Sequence, residues 1–315
     1  VSTASYEARR YGVRSAMPMA RAKRLCPQLV IVPGRYEVYR AVSGQVRGIF
    51  REYTDKIEPL SIDEAFLDVT ENKPGIAQEI RTRIRDELHL TASAGVSYNK
   101  FLAKIASDLN KPDGMTVIPK ECALEFISSL KVEQFWGVGP RTAERMHYIG
   151  IFTGADLRKC SLRHLTEVFG KMGRTYYDFA RGIDTRQVET EYVRKSVGCE
   201  HTLESDISTR STVIIELYHT VLELARRIEN DKFEGRTLTL KIKYSDFSQI
   251  TRSITTNKLL QTKDDILPAA KRLLGEVEYS ANHPIRLIGL SVSNPLPESE
   301  MHRAEWVQSY IDFKD

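Results

Sequence analysis

Two adjacent carboxylates, Asp63 and Glu64, interrupt an apolar, strand-prone stretch that covers residues 57–70. Strand-forming residues lie on both sides of the pair, which predicts a hairpin with the two acids at its tip. Acids are poor strand formers and are costly to bury without a partner. The pair therefore indicates a cation at the tip, and a divalent ion with oxygen ligands is the first candidate. An exposed turn that happens to carry two acids is the alternative, and it is the commoner case for an isolated Asp-Glu dipeptide.

A second candidate for chemistry lies near the beginning of the sequence, where Tyr6 and Arg9 are three residues apart. In a helix this spacing places the two side chains on one face. A guanidinium donates hydrogen bonds in a planar fork, so together with the neighbouring phenol it could hold a phosphate tail. A surface stack of the two side chains is the alternative.

A glycine-rich corner, Gly137-Val138-Gly139-Pro140, lies between two helical patterns and predicts a helix–hairpin–helix. Glycines have no side chain, so they let a phosphate approach the backbone N–H groups at the start of a helix. We therefore predict that Gly137 and Gly139 bind the backbone of a nucleic acid. A plain helical corner is the alternative.

Two further stretches are expected to position these groups. Residues 99–109 have the apolar spacing of a helix, with Leu109 among the inward residues and with Lys100 and Lys104 pointing outward. Residues 182–192 are polar and show no periodicity, which is typical of a linker.

From residue 194 to 294 the pattern is strand, helix, strand, strand, helix, strand. This is the ferredoxin-like order, and its length suits one complete small domain. Along the second strand apolar residues alternate with cations and hydroxyls, so one face belongs to the core and the other suits phosphates. The residues expected on this polar face are Thr237, Thr239, Lys241, Lys243, Arg252 and Ser253.

The composition is that of a globular protein of 315 residues, with 41% hydrophobic and 28% charged residues, long enough for two or three domains. No apolar run approaches the roughly 18 residues of a membrane span. The first residues show no signal-peptide pattern, so we expect a cytoplasmic protein without a membrane partner. Four distant cysteines without a CxxC pair, and seven histidines without an HxxxH pair, argue against a zinc site or a disulfide framework.

The net charge is only +4, but basic residues concentrate in two stretches. Residues 1–29 carry six basic side chains against one acid, and residues 231–263 carry seven against three. Two basic patches on a nearly neutral chain are typical of a protein that binds a polyanion. Either patch alone could be a solvated charged surface.

Four motifs follow one another along the chain: SIDEAFLDVT, NKFLAKIASDLNKPDG, FWGVGPRTAERM and RKSVGCEHTLESDI. Together they resemble the Y-family translesion DNA polymerases, and within them the bacterial DNA polymerase IV group, over nearly the whole chain. The resemblance implies an α+β, multi-domain right-hand polymerase. Its implied parts are partial fingers (1–33), palm (34–125), helix–hairpin–helix thumb (126–183), linker (184–193), ferredoxin-like little finger (194–294) and tail (295–315).

The resemblance also implies roles for residues at the centre of the polymerase. Asp63 and Glu64 would be the catalytic ligands of two Mg²⁺ ions. Tyr6, Arg9 and the lysine of the Asn-Lys-Pro motif, Lys111, would contact the triphosphate of the incoming deoxynucleotide.

The resemblance implies two macromolecular partners, primer–template DNA and a sliding clamp. We expect the protein itself to be a monomer. The thumb and the little finger would hold the DNA, with Lys195 and Ser196 among the contacts. The family's clamp-binding peptide is matched near the end of the chain, although Ser309 replaces its usual leucine. The matching residues are Gln308, Ile311 and Phe313.

This sequence departs from the family at its beginning. Family members start with a strand that carries an Asp-x-Asp motif, followed by an aromatic gate against ribonucleotides, and this sequence starts downstream of both. We interpret it as a fragment, because every downstream motif is intact, and expect the 315-residue chain to extend a primer poorly or not at all. A catalytically incomplete DNA- and clamp-binding protein is the alternative. A ferredoxin-like RNA binder is disfavoured, because the last domain lacks an aromatic pair on its open face.

Overall fold

The computed structural model describes residues 1–72 and 75–295. The chain divides into two compact units, Val1–Glu191 and Tyr192–Asp315, and this division falls inside the predicted linker. Among the described residues no helix is long and apolar enough to cross a membrane, and the four cysteines are free thiols. The predicted clamp-binding residues Gln308, Ile311 and Phe313 lie outside the described residues.

The first unit opens with two short helices, α1 (Tyr6–Arg10) and α2 (Met19–Leu25). Ser5 caps α1, because its hydroxyl accepts a hydrogen bond from the Ala8 N–H at 3.3 Å. The helices pack together through a small core of their own. Its buried members are Ala8, Val13, Ala22 and Cys26.

The acidic hairpin forms as the sequence predicts. Strands β1 (Ile57–Pro59) and β2 (Ala65–Leu67) are antiparallel, and residues 60–64 make the turn that holds both acids. Two helices, α3 (Tyr36–Arg51) and α4 (Ile76–Leu88), pack together and form a core beside the hairpin. The buried members of that core are Ile49, Ile76, Ile80 and Ile84, with Leu67 and Val69 packed against them.

A parallel β-α-β unit follows the hairpin. Strands β3 (Ala94–Ser97) and β4 (Met115–Ile118) are joined by helix α5 (Lys100–Leu109). Gly95 allows α5 to lie directly on β3, because a Cβ atom there would come within 2.0 Å of the Ala103 carbonyl oxygen.

Two of the side-chain orientations predicted for α5 are wrong. Lys100, predicted to point outward, is only 7% exposed, and Leu109, predicted to point inward, is 41% exposed. Lys100 is buried because it has ionic and backbone partners that lie far away in the sequence. Helical periodicity assigns a lysine to the solvent by default and cannot show such partners.

A group of short helices completes the first unit and shares one core with the start of α5. The helices are α6 (Lys120–Ser129), a 3₁₀ turn (Val132–Gln134), α7 (Pro140–Tyr148), α8 (Gly154–Lys159), α9 (Leu162–Phe169) and α10 (Lys171–Phe179). The ring of Phe101 on α5 stacks on Phe179 with their centroids 4.0 Å apart. Pro140 occupies the first turn of α7 directly after the glycine corner, as predicted.

The second unit has the predicted order of strands and helices. Its elements are β5 (Ser196–Ile207), α11 (Arg210–Asp231), β6 (Gly235–Tyr244), β7 (Gln249–Thr255), α12 (Lys263–Leu274) and β8 (Ile285–Pro295). The strands lie in the order β5-β8-β6-β7, and all neighbours are antiparallel. Each helix therefore connects two strands that have a third strand between them, and both helices cover the same apolar face.

Candidate active site

The turn at the tip of the hairpin is organised by a serine. The Ser61 hydroxyl accepts hydrogen bonds from the N–H groups of Asp63 at 3.3 Å and Glu64 at 3.1 Å, and it donates to Asp63 Oδ1 at 2.6 Å. The Ser61 hydroxyl therefore takes the place of a backbone carbonyl as the acceptor for these two N–H groups in the turn. Within the described residues Oδ2 of Asp63 has no hydrogen-bond partner, so this oxygen can accept a ligand.

Helix α5 presents charged side chains to the hairpin tip. Lys104 donates to Glu64 Oε1 at 2.8 Å and lies 3.8 Å from an Asp108 carboxylate oxygen. The other oxygen of Asp108 lies 2.5 Å from Lys111 Nζ. Glu64, Lys104, Asp108 and Lys111 thus form a line of alternating charges, which we call the charge chain. Lys104 and Asp108 were not predicted as site residues, although the i,i+4 spacing of this lysine and this acid, just ahead of Lys111, was a signal for the pairing.

Lys111 lies within electrostatic reach of both the hairpin and α1. A hydrogen bond to Asp108 raises the pKa of Lys111, although partial burial works against the rise. Electrostatic interactions with Glu64 and Tyr6 raise the pKa of Lys111 further. The ionic contacts through Lys104 and Asp108 connect Lys111 to Glu64, and Tyr6 is close enough to Lys111 to affect its pKa. The structure therefore brings together predicted site residues from α1, the hairpin and the loop after α5.

Tyr6 and Arg9 share a face of α1, as their spacing predicts. The Arg9 guanidinium carbon lies 5.9 Å from the centroid of the Tyr6 ring, and Arg9 Nε donates to the Ala4 carbonyl at 3.0 Å. The surface stack considered as the alternative is therefore present. Both terminal nitrogens of Arg9 have no partner in the part of the chain that the structure describes, so the stack orients the guanidinium and leaves it able to bind phosphate.

The acid pair suits a hard divalent cation. Asp63 and Glu64 are adjacent, at least partly exposed, and each keeps an oxygen without a partner among the described residues. No group of three or more His, Cys, Asp or Glu side chains that could hold a metal occurs within residues 1–72 and 75–295. Mg²⁺ typically binds one or two carboxylates and completes its shell with water and substrate phosphates, so this donor set fits Mg²⁺.

The glycine corner exposes the start of α7. Gly137 has a φ of +85°, which favours glycine, and Gly139 is the N-cap residue with a φ of −85°. A Cβ atom added at Gly139 would meet nothing within 4 Å. The backbone N–H groups at this helix start are therefore open to an anion.

The polar face of the second unit is rich in hydroxyls. Thr239 and Ser253 face each other across β6 and β7 with their hydroxyl oxygens 2.8 Å apart, and Lys241 donates to Glu200 at 2.8 Å. Ser196 pairs with Ser293 in the strand register and lies on the same face, and Lys195 directly precedes it. The other predicted members of this face are Thr237 and Lys243.

Arg252 does not belong to this polar face, which corrects one of our predictions. The register pairs Arg252 with the buried Leu240, so its side chain leaves the sheet on the helix-covered side, at the exposed edge strand β7. Successive residues of a strand point to opposite faces, so Arg252 and Ser253 could not both join one surface.

Comparisons with known proteins agree with this architecture. Residues 1–108 match the impB/mucB/samB family, residues 194–305 match the C-terminal domain of that family, and residues 133–184 match the DNA polymerase-iota thumb domain. DNA polymerase IV of Bacteroides fragilis (strain YCH46) is 62% identical over 321 residues, which cover all of this chain and 88% of that protein. The chain belongs to the DNA polymerase IV group of the Y-family DNA polymerases.

Other members of the Y-family support the same assignment. DNA polymerase IV of Akkermansia muciniphila is 51% identical over 320 residues, covering 100% of this chain and 88% of that protein. A Y-family DNA polymerase chimera has a TM-score of 0.86 at 28% identity, with 94% of this chain and 87% of that chain covered. An insertion ternary complex of Dbh DNA polymerase has a TM-score of 0.61 at 26% identity, with 93% and 86% covered. The predicted family, fold class and translesion DNA polymerase function are confirmed, and the non-catalytic alternative is not favoured.

Proposed function

We propose that this Y-family polymerase transfers deoxynucleotides to a primer end at the site formed by the acidic hairpin, α1 and the loop after α5. Asp63 and Glu64 bind two Mg²⁺ ions, and Tyr6, Arg9 and Lys111 bind the triphosphate. The observation that carries the proposal is the run of ionic contacts from Glu64 on the hairpin through Lys104 and Asp108 to Lys111. Tyr6 on α1 lies close enough to Lys111 to affect its pKa. Bound Mg²⁺ supplies activation of the primer hydroxyl and neutralisation of the phosphates.

The side chains of the site have separate tasks. Lys111 contributes a point charge to the phosphates that leave as pyrophosphate, and Arg9 contributes a planar fork of donors. Lys104 neutralises part of the charge of Glu64, and Asp108 orients Lys111, so both acidic and basic groups are held in place before a substrate arrives. Such preorganisation lowers the cost of assembling the charged site.

The dependence of nucleotide incorporation on Mg²⁺ tests this proposal. We expect single-nucleotide incorporation by the full-length polymerase on a primer–template to need Mg²⁺ and to rise more steeply than first order at low Mg²⁺, because two ions take part. A first-order dependence over the whole range would contradict two ions. Incorporation that continues in excess EDTA would contradict the metal site itself.

We further propose that the start of α7 and the polar face of the second unit bind the backbone of primer–template DNA. The open helix start at Gly139 and the hydroxyls and lysines of β6 support this, because phosphate contacts come from such groups. Gly139→Ala is expected to leave thermal stability nearly unchanged, since the new Cβ atom has free space, and to weaken DNA binding severalfold because it blocks a phosphate. Lys243→Ala is expected to reduce the salt slope of DNA binding by about one.

Binding of a fluorescent primer–template at a series of KCl concentrations measures both effects. Arg252→Ala is the matched control for the lysine, because it removes an exposed cation from the other side of the sheet, and it should change the slope less. Unchanged affinity and an unchanged slope in the two test variants would show that the DNA lies elsewhere.

The sliding clamp and the monomeric state complete the proposal. Clamp binding rests on the spacing of Gln308, Ile311 and Phe313. Gel filtration of the full-length polymerase, alone and with a clamp, would measure both properties. Elution of the polymerase by itself at the volume of a dimer would contradict the monomeric state. An elution volume that does not change when the clamp is added would contradict clamp binding.

A further inference from the structure

The stretch predicted as a linker is bonded to the start of α5. The Gly182 carbonyl accepts hydrogen bonds from Tyr98 Oη at 2.9 Å and Asn99 Nδ2 at 3.0 Å. Asp184 Oδ2 accepts from the Phe101 N–H at 2.9 Å, and the Asp184 side chain is 2% exposed. A buried carboxylate at a helix start satisfies a free N–H group and interacts favourably with the helix dipole. We call residues 182–189 the clasp.

Arg186 connects the clasp to aromatic side chains near the hairpin. Its Nε and Nη2 donate to the two oxygens of Asp184, each at 2.7 Å. The guanidinium carbon lies 4.3 Å from the centroid of the Trp136 ring, and that ring lies 5.6 Å from Phe66 on β2. Burial acts to raise the pKa of Asp184, but the bonds and charge of Arg186, with the Phe101 N–H, outweigh it and hold the pKa below its usual range.

A buried ion pair connects the clasp to β1. Lys100 donates to the Gln187 carbonyl at 2.9 Å and to Glu58 Oε2 on β1, and its ammonium lies 5.2 Å from the centroid of the Phe66 ring. The same Glu58 oxygen accepts from the Glu189 N–H at 2.8 Å. Both charged side chains are largely buried, with 8% and 18% exposure. The pair therefore joins three segments: the start of α5, the clasp and the hairpin.

The two elements that the clasp joins are the ones that carry the charged site. The hairpin bears Asp63 and Glu64, and α5 bears Lys104 and leads to Lys111. Replacing a buried ion pair by apolar residues of the same size is often neutral or stabilising, and in some proteins such a pair selects one arrangement of the segments that it joins. The Glu58–Lys100 pair is thus better suited to fixing the hairpin against α5 than to stabilising the unit.

We propose that the clasp positions the acidic hairpin against α5, with Glu58, Lys100 and Asp184 as positioning residues for the metal and triphosphate site. This inference rests on the proposed function of that site. Loss of the pair leaves the hairpin free to shift, so the carboxylates of Asp63 and Glu64 lose their fixed distance from Lys111. A shift of about 1 Å in such a site costs as much as a hundredfold in rate.

The test uses Glu58→Gln and Arg186→Gln in the full-length polymerase, the second being the milder change because Arg186 is half exposed. Binding of Mn²⁺ is measured by electron paramagnetic resonance, with a dideoxy-terminated primer–template and the next deoxynucleotide present. We expect the Kd for Mn²⁺ and the KM for the deoxynucleotide to rise about tenfold or more, as for lost residues that orient metal ligands. DNA affinity should stay within about twofold, and Lys100→Arg, which keeps the charge, should retain more function than Lys100→Met.

Glu52→Gln is the matched control, because Glu52 is a palm carboxylate paired with Arg83 at 2.6 Å and does not touch the clasp. Folded Glu58→Gln and Arg186→Gln variants with unchanged Mn²⁺ affinity and KM would overturn the proposal. Equal losses of Mn²⁺ binding, DNA binding and thermal stability would also overturn it, since they indicate a purely structural role. Failure of the proposed metal site can be distinguished from failure of the clasp proposal, because in that case Asp63→Ala and Glu64→Ala would bind Mn²⁺ with unchanged affinity.

Discussion

Alanine at Asp63 or Glu64 in the full-length polymerase is expected to slow primer extension by at least about a thousandfold, equivalent to about 4 kcal/mol of transition-state stabilisation. Each side chain keeps a carboxylate oxygen without a partner among the described residues, at the tip of a hairpin that faces Lys104. Removing either carboxylate takes away charge that a divalent ion needs. DNA affinity should change by less than about twofold, because the proposed DNA contacts lie on other elements.

Primer extension under single-turnover conditions, with DNA binding measured in parallel, checks this prediction. Glu71→Ala is a suitable control, since Glu71 is an 88% exposed carboxylate just beyond the hairpin and pairs only with Lys56 in the described part of the chain. The control should extend the primer at the normal rate. Extension within tenfold of normal by Asp63→Ala or Glu64→Ala would remove these residues from the metal site.

Lys111→Ala is expected to raise the KM for the incoming deoxynucleotide by about ten- to a hundredfold. A hydrogen bond from a charged group contributes about 1.5–3 kcal/mol, and each 1.4 kcal/mol is a factor of ten in affinity. Lys111 is held by Asp108 and lies near Glu64 and Tyr6, so its ammonium is already placed for a phosphate. The rate at saturating deoxynucleotide should fall less than the affinity.

Incorporation rates over a range of deoxynucleotide concentrations separate these two effects for Lys111→Ala. Lys120→Ala provides the comparison, because Lys120 is an exposed cation of the same unit whose Nζ lies 6.0 Å from the Tyr98 ring centroid, away from the charge chain. An unchanged KM in Lys111→Ala would place the triphosphate elsewhere, whatever the metal experiments show.

Local patterns predicted the parts of the structure that depend on local sequence. Along β6 apolar and polar residues alternate, and the two-residue period of a strand correctly predicts that Leu238, Leu240 and Ile242 lie in the core. The hairpin tip was predictable from local sequence as well, because acids are poor strand formers and therefore favour the turn between two strands. The position of Arg252 was predictable from the same period, and our assignment of it overlooked that rule.

The clasp could not be predicted in this way, and neither could the pairing of Lys104 with Glu64, which lies 40 residues earlier in the sequence. Lys100 and Asp184 are charged residues, and charged residues are exposed unless a partner offsets the cost of burial. Their partners, Glu58 and the N–H of Phe101, lie 42 and 83 residues away in the sequence. Only the folded chain shows that such pairs exist, so a polar stretch without periodicity resembled a free linker.

We propose that the acid pair holds divalent metal beside the nucleotide's phosphates. Anomalous diffraction from Mn²⁺, in crystals of the full-length polymerase with primer–template and a non-reactive deoxynucleotide analogue, would locate the metal. We predict an anomalous peak about 2.0–2.3 Å from a carboxylate oxygen of both Asp63 and Glu64, with the triphosphate bound to the same ion and to Lys111. If Glu64 were still paired with Lys104, and the Mn²⁺ and the triphosphate were bound away from the hairpin, Asp63 and Glu64 would not be the metal ligands.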